Sequence, residues 1–535
     1  MEREAITSPL EKNQKSNTFS NVFDKTKTMN THALLTLFMC LCGLSATVQA
    51  QPNDDDLYWS YAQASFSQLR ELLAIPNDAH FPEDIERNVQ WCAEHFTERG
   101  FSTTRLETPG APLLLAEKKT DAADAKTVLI YLQVDGQPVD PEFWFQDDPY
   151  EATLKKQAEE GGWEGIDWSM LEEDAIDPEW RIFARSTADS KGAVNMFLTA
   201  VDIMNERGES PNFNMKVIMD FEEEMGSPNL PQAVRDNKAA LASDMLIIFD
   251  GPMHIANKPT LTFGARGISD ITLKVYGPLY PQHSGHYGNW APNPAVRLSQ
   301  LIASMKDERE RVTIPGFYDG ITLSDEVKAV LAAVPDDEDY INYKQLAVAR
   351  GTGVAPTYQE SLQYPSLNVR GLRSGWVGDE ARTIVPSIAI AEIDIRLVLE
   401  SDPDRLINLV REHIEDQGYY VIDRKPTSRE RLMHDKICEF TSSTSYLAFR
   451  TDFDSEVGLW LDRALVRAFG ESPIKQRTSG GSIPISPFVN ELGIPAVTVP
   501  TVNRDNNQHS PNENIRIGNY VDGIKTMHYI LTERL

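Results

Sequence analysis

Cysteine is scarce in this chain. There are four in 535 residues, and two of them, Cys40 and Cys42, sit in one short apolar run near the start. Only Cys92 and Cys438 remain for the rest, which excludes a disulfide framework and points to buried thiols rather than metal ligands. Basic residues are also short: 51 Lys and Arg stand against 80 Asp and Glu, a net charge of −29. A surface of that sign excludes nucleic acid and anionic membrane as partners. The apolar run Ala33–Leu44 has 12 residues, too few to span a bilayer, so no stable membrane anchor is expected. Short repeats and low-complexity tracts are absent. What is present, 41% hydrophobic and 24% charged residues, is the composition of a globular protein with room for two or more domains.

The run Ala33–Leu44 precedes Val48-Gln49-Ala50, a small-residue cleavage pattern, and then polar Gln51-Pro52-Asn53. That order reads as a secretory signal peptide over residues 1–50, with Met29 as an alternative start. It implies a secreted or periplasmic protein. A buried core helix is the other reading of the run, but no amphipathic face supports it.

Residues 52–106 read as helical, with amphipathic stretches at Tyr61–Leu73 and Ile85–Phe96. Beyond residue 127, short apolar runs end at acidic or polar residues. Val128–Leu132 leads to Gln133 and Asp135, Val217–Met219 to Glu222–Glu224, and Met245–Phe249 to Asp250; Ala496–Val502 is followed by His509. Such runs read as buried parallel strands, and ligands sit beyond the carboxyl ends of such strands. Helical stretches between them, such as Ala193–Asn205, complete an α/β pattern. The Trp- and Asp-rich residues 141–180 are expected as a surface insertion over the sheet. Near residue 266 the texture changes. Ile271, Leu273 and Val275 alternate with polar neighbours, as do Ala391, Ile393, Ile395 and Leu397, so this sheet has one packed face. Helices at Pro294–Met305 and Pro403–Gln417 can cover it. The expected plan is a catalytic domain with a mostly parallel sheet, residues 51–265 and 451–535, interrupted by an α+β domain over 266–450.

Read in order, the chain carries YLQVDGQPVDP (131–141), ARSTADSKG (184–192), EEEMGS (222–227), FDGP (249–252), HSGHYGN (283–289), RTIVP (382–386), IDIRLV (393–398), SGGSIPISPF (479–488) and NNQHSPNEN (506–514). This ordered set resembles the dinuclear zinc metallopeptidase family of carnosine dipeptidase, glutamate carboxypeptidase, acetylornithine deacetylase, succinyl-diaminopimelate desuccinylase and aminoacylase, over nearly all of residues 55–535. The resemblance implies a zinc-peptidase-like domain split by a lid that also mediates dimerisation. Two Zn2+ per chain are implied, with Asp189 bridging them, because a shared anion offsets the repulsion of two cations. Asp250 is implied as a terminal ligand of the first metal, Glu224 and His509 as ligands of the second, and Glu223 as the general base. His283 is implied to reach the partner's site across a homodimer and stabilise an oxyanion. Arg396 is the implied clamp for a substrate carboxylate. Gly480, Gly481 and Ser482 form a loop whose N–H groups and hydroxyl would cradle that carboxylate, and Thr383 is a substrate contact or a packed strand residue. By residue type alone, plainer readings stay open: a helix cap for Asp189, a turn for Asp250, a solvated acidic turn for Glu223 and Glu224, and a surface strand for Arg396. His80, His95, His254, His286, His413, His434 and His528 receive no role.

The chain departs from the family at one place. Gln133-Val134-Asp135 stands where the pattern is His-x-Asp, so the first metal loses an imidazole. A carboxamide oxygen could face the metal while its NH2 donates to Asp135. Such a donor favours a harder ion, making Mn2+ or Co2+ alternatives to zinc. Two metals with an altered first position, one tightly held metal, or a site that has lost hydrolysis all follow from Gln133. The expected function is metal-dependent hydrolysis of an amide next to a free carboxylate, in a dipeptidase or other exopeptidase acting on small peptides. An N-acyl-amino-acid deacylase and a non-catalytic peptide-binding protein are the alternatives.

Overall fold

The computed structural model describes residues 54–172 and 176–535, so the signal-peptide reading of residues 1–50 lies outside the described residues. An eight-stranded sheet anchors the catalytic part. Its order is Ser102–Leu106, Leu113–Lys118, Asn214–Asp220, Thr127–Gln133, Met245–Ile248, Ala496–Thr498, Thr260–Thr262 and Ile474–Gln476. The centre is parallel: Thr127–Gln133 runs alongside both Asn214–Asp220 and Met245–Ile248, and Ala496–Thr498 runs alongside Met245–Ile248. One edge is antiparallel, as is the single contact of Ala496–Thr498 with Thr260–Thr262, so the sheet is mixed.

The central strands are apolar on both faces, and successive residues feed different cores. Val128, Ile130 and Leu132 join a cluster with Phe197, Trp460 and Tyr520, from helices Lys191–Glu206, Glu456–Phe469 and Ile517–Thr532. Leu129 and Tyr131 join Leu230, Val234 and Phe488 on the other side. Truncating one of these side chains to alanine costs about 2–5 kcal/mol, because a packed core refills a void only partly. Cys92 and Cys438 are free and buried. Burial pushes each thiol up to about 12, so neither is a thiolate at neutral pH.

The inserted part has a five-stranded sheet ordered Ser366–Ser374, Ile388–Leu397, Gly267–Tyr276, Ile437–Tyr446 and Tyr420–Ile422. Gly267–Tyr276 alternates buried and half-buried residues. Its buried face packs Ile271, Leu273 and Val275 against Leu298 and Leu301 of helix Pro294–Met305 and Leu406 and Val410 of helix Pro403–Asp416.

Residues 141–180, expected as a surface insertion, are mostly exposed or half-buried where described, and carry strands of their own. Thr153–Gln157, Trp163–Gly165 and Arg181–Phe183 form an antiparallel sheet with Asn514–Arg516, a strand just after His509. The pairing of Arg181–Phe183 with Asn514–Arg516, from the far end of the chain, is invisible in local composition, and the Asp and Trp density of the stretch before it reads as solvated loop.

Candidate metal centre and substrate site

Three of the four central parallel strands, Thr127–Gln133, Asn214–Asp220 and Met245–Ile248, end at one edge of the sheet, and the loops after them carry acidic residues. Val134 N–H donates to Asp220 O at 2.9 Å and Phe249 N–H to Tyr131 O at 3.2 Å, which keeps the strand ends level. Asp135 lies just beyond its strand, fully buried, and accepts the N–H of Glu223 at 3.0 Å and of Glu224 at 3.1 Å. It therefore fixes the turn Glu223–Met225, which closes through Gly226 at φ 80°, a left-handed conformation that glycine adopts without strain. Asp189 ends the loop before helix Lys191–Glu206. That helix opens through Gly192, where a Cβ would lie 2.1 Å from Thr187 O.

These loops bring Asp189, Glu224 and His509 together, with one ligand atom from each within 4.8 Å of the others. His509 Nε2 is 3.0 Å from Asp189 Oδ2 and 3.2 Å from Glu224 Oε2. Ser190 Oγ donates to Asp250 Oδ1 at 2.9 Å and lies 3.2 Å from Asp189 Oδ1, so Ser190 links the two aspartates. Asp189 thus meets His509 through Oδ2 and Ser190 through Oδ1. Burial first, then the charges of Asp250, Glu224, Asp189 and Asp135, holds the Glu223 carboxyl well above the usual carboxylate range. Burial and the charge of Asp189 push Asp250 up to about 7. Hydrogen bonds to Asp189 and Glu224 push His509 up to about 10. So many crowded carboxylates call for positive charge, and a divalent cation supplies it.

Gln133 is buried, and neither its Oε1 nor its Nε2 has a hydrogen-bond partner. An unpaired buried amide costs several kcal/mol in the worst case, about 1–3 kcal/mol on mutational scales, and is a group that a ligand satisfies. The expected bond from Gln133 NH2 to Asp135 is not formed; Asp135 instead accepts the N–H groups of Glu223 and Glu224. Two carboxylates and an imidazole, a further aspartate beside them, and an unsatisfied amide oxygen make a donor set that fits divalent metal.

The carboxylate clamp also assembles. Arg396, on strand Ile388–Leu397, donates through Nη1 to Ser482 Oγ at 2.8 Å, joining the inserted part to the catalytic part. Ser482 Oγ in turn lies 3.2 Å from Gly267 O. Gly481 N–H is engaged by Ser479 Oγ at 3.2 Å, so it is less free to cradle a carboxylate than its place in the loop implies. Gly480 and Gly481 line a cavity of about 450 Å3 that reaches Asp250. His283 and Thr383 lie elsewhere, on the exposed side of the inserted part, where Thr383 O accepts Ser284 N–H at 3.0 Å. His283 Nδ1 accepts Gly285 N–H at 3.0 Å, and its ring lies against His286 at 4.7 Å, not against the carboxylates.

Three residues escaped the sequence reading. His254 is buried in the wall of the cavity, where Nδ1 accepts Ala256 N–H at 3.1 Å, leaving the proton on Nε2 to reach Asp336 Oδ1 at 2.9 Å. Tyr446, at the end of strand Ile437–Tyr446, brings its Oη to 3.4 Å from where a Cβ on Gly226 would lie, beside the Glu223–Met225 turn; burial and then the charge of Glu223 raise its hydroxyl. Glu513 is the third. The one available signal was nearness in sequence: His254 follows Asp250, and Glu513 follows His509.

A cluster of carboxylates and histidine at the carboxyl edge of an α/β sheet, beside an arginine-bearing α+β insert, defines a metal-dependent hydrolase. Residues 153–533 match the profile of peptidase family M20/M25/M40, and the chain belongs to that family. Gln133 and Asp135 lie before the matched span. The Cys-Gly metallodipeptidase of Schizosaccharomyces pombe is 26% identical over 482 residues, covering 86% of this chain and 93% of the relative. The human Beta-Ala-His dipeptidase is 26% identical over 496 residues, covering 88% and 90%. Among solved structures, an M20-family metallo-carboxypeptidase from Sulfolobus solfataricus superposes with a TM-score of 0.71 at 26% identity, covering 88% of this chain and 98% of that one. Human carnosine dipeptidase 1 superposes with a TM-score of 0.65 at 25% identity, covering 89% and 99%.

Proposed function

We propose that the protein is a metal-dependent dipeptidase that cleaves the amide of small peptides bearing a free carboxylate. The convergence of Asp189, Glu224 and His509 beside Glu223 carries this reading. Asp189, Glu224 and His509 would hold one Zn2+, and Asp189, Asp250 and the Gln133 oxygen a second, with Mn2+ or Co2+ as alternatives. Bound there, the pair would polarise the scissile carbonyl and lower the pKa of the attacking water. Glu223 takes the proton of that water and returns it to the departing amine. Arg396 and Ser482 hold the substrate carboxylate, and the cavity beyond Gly480 receives a side chain.

A homodimer belongs to the same reading. Strand Ser366–Ser374 is an edge of its sheet, and Trp290 and Val377 on the same inserted part are 87% and 83% exposed. Such edges and apolar side chains seek a partner, and His283 on this part would then complete the second subunit's site. Secretion through residues 1–50 is the proposed route out of the cytoplasm.

The test is hydrolysis of a free dipeptide against its N-acetylated form, by metal-loaded protein beginning at residue 51. Turnover of the free dipeptide with little of the acetylated form is expected. The reverse preference would make the protein a deacylase, and tight binding without turnover a peptide-binding protein.

A further inference from the structure

Glu513 is wholly buried and stands outside the roles assigned so far. Its Oε1 accepts the N–H groups of Ala188 and Asp189, each at 2.9 Å. Its Oε2 accepts Ser186 N–H at 3.0 Å and Arg185 Nη1 at 2.7 Å. Its own carbonyl accepts Ala184 N–H at 3.2 Å. One side chain therefore gathers the loop that ends in Asp189. The same residue follows His509 by four positions, at the end of the loop that carries it. Both segments hold residues in the left-handed region, Ser186 at φ 63° and His509 at φ 59°. Such conformations persist only where neighbours over-determine them. The asparagines around His509 bond within their own segment, as Asn514 does to Asn506 and Asn512. Glu513 ties that segment to the Asp189 loop through four buried bonds; Gln508 adds a longer one, at 3.2 Å to Asp189 Oδ2.

We propose that Glu513 is a positioning residue that sets the spacing of Asp189 and His509 and so governs how tightly they hold a shared divalent ion. The proposal rests on the metallopeptidase reading. Residues that orient metal ligands from behind are worth about 10–100-fold in metal affinity.

The variants are E513Q and, because E513Q leaves the Arg185 cation buried without its partner, the double variant R185M/E513Q, which removes both charges. The measurement is the Zn2+ dissociation constant of the mature chain, by competition with a chromophoric chelator, with thermal unfolding of the metal-free protein as the fold control. A roughly 10–100-fold loss of affinity in the folded variants is expected, with turnover recovering when Zn2+ is raised by the same factor. Affinity within twofold of wild type in either folded variant would overturn the proposal. A wild-type chain that takes up no Zn2+ would instead overturn the metallopeptidase reading beneath it.

Discussion

Arg396 offers the sharpest test of how substrate is held. Its guanidinium is one-third exposed and already donates to Ser482 Oγ at 2.8 Å, while Asp394 Oδ2 lies 3.5 Å from Nε. A charge-assisted pair in such a half-wet place is worth about 2–3 kcal/mol, below the range for fully buried pairs. Arg396→Met should therefore lower kcat/KM on a free dipeptide by about 30–150-fold, at 1.4 kcal/mol per tenfold. Most of the loss should fall on KM, because the carboxylate lies away from the reacting bond and is bound alike in ground and transition states. The assay is a cycle of wild type and variant against a dipeptide and its C-terminal amide. Amidation should cost wild type the same factor and cost the variant almost nothing, a coupling of about 2–3 kcal/mol. A coupling under about 0.5 kcal/mol, within the scatter of independent sites, would refute the clamp.

Three further outcomes follow. Glu223→Gln should reduce kcat by about 100–10,000-fold while metal content, read by elemental analysis, stays unchanged; turnover within tenfold of wild type would remove Glu223 as the base. Gln133→His should raise zinc affinity at the first position, since imidazole is the better zinc donor, and an unchanged metal titration would count against that assignment. Burial alone would raise Glu400, but its hydrogen bonds to Arg450 at 2.8 and 3.3 Å, with Arg477 nearby, hold its carboxyl below the usual value. A depressed carboxyl stabilises above the unfolded value near 4.5 and loses that contribution as pH falls through the folded value. Glu400→Gln should thus cost about 1.5–3 kcal/mol in denaturant unfolding at pH 7 and little once Glu400 is protonated in wild type; an equal cost at both pH values would contradict the pairing.

Much of this architecture could be read from period and composition. The runs Val128–Leu132 and Met245–Phe249 are apolar enough to mark central parallel strands, and helix Pro294–Met305 has the bounds its pattern implies. The antiparallel edge strand Ser102–Leu106 left a weaker trace and falls in the stretch read as helical, because its pairing with Leu113–Lys118 sets its conformation and local sequence does not. The same holds for Arg181–Phe183, whose partner Asn514–Arg516 lies at the far end of the chain. In the site, motif order pointed to Asp189, Glu224 and His509, and the fold brings them together. His254 with Asp336, and Glu513 with Arg185, stayed hidden because each pair forms only when distant segments meet. The bond drawn from Gln133 to Asp135 failed for a related reason. Asp135 turns to the N–H groups of Glu223 and Glu224, which come from another strand's loop and leave no mark on the sequence around Gln133.

The carboxylate–histidine cluster should bind divalent metal, and peptide hydrolysis should require that metal. The direct measurement is turnover of a dipeptide by metal-free protein as Zn2+ or Mn2+ is titrated in, with bound metal per chain counted at each step. No turnover is expected without metal, then a rise that saturates near two ions per chain, and no rise at all in Glu223→Gln despite the same uptake. Full turnover in thoroughly chelated protein, or saturated uptake with no turnover of any free dipeptide, would contradict this expectation.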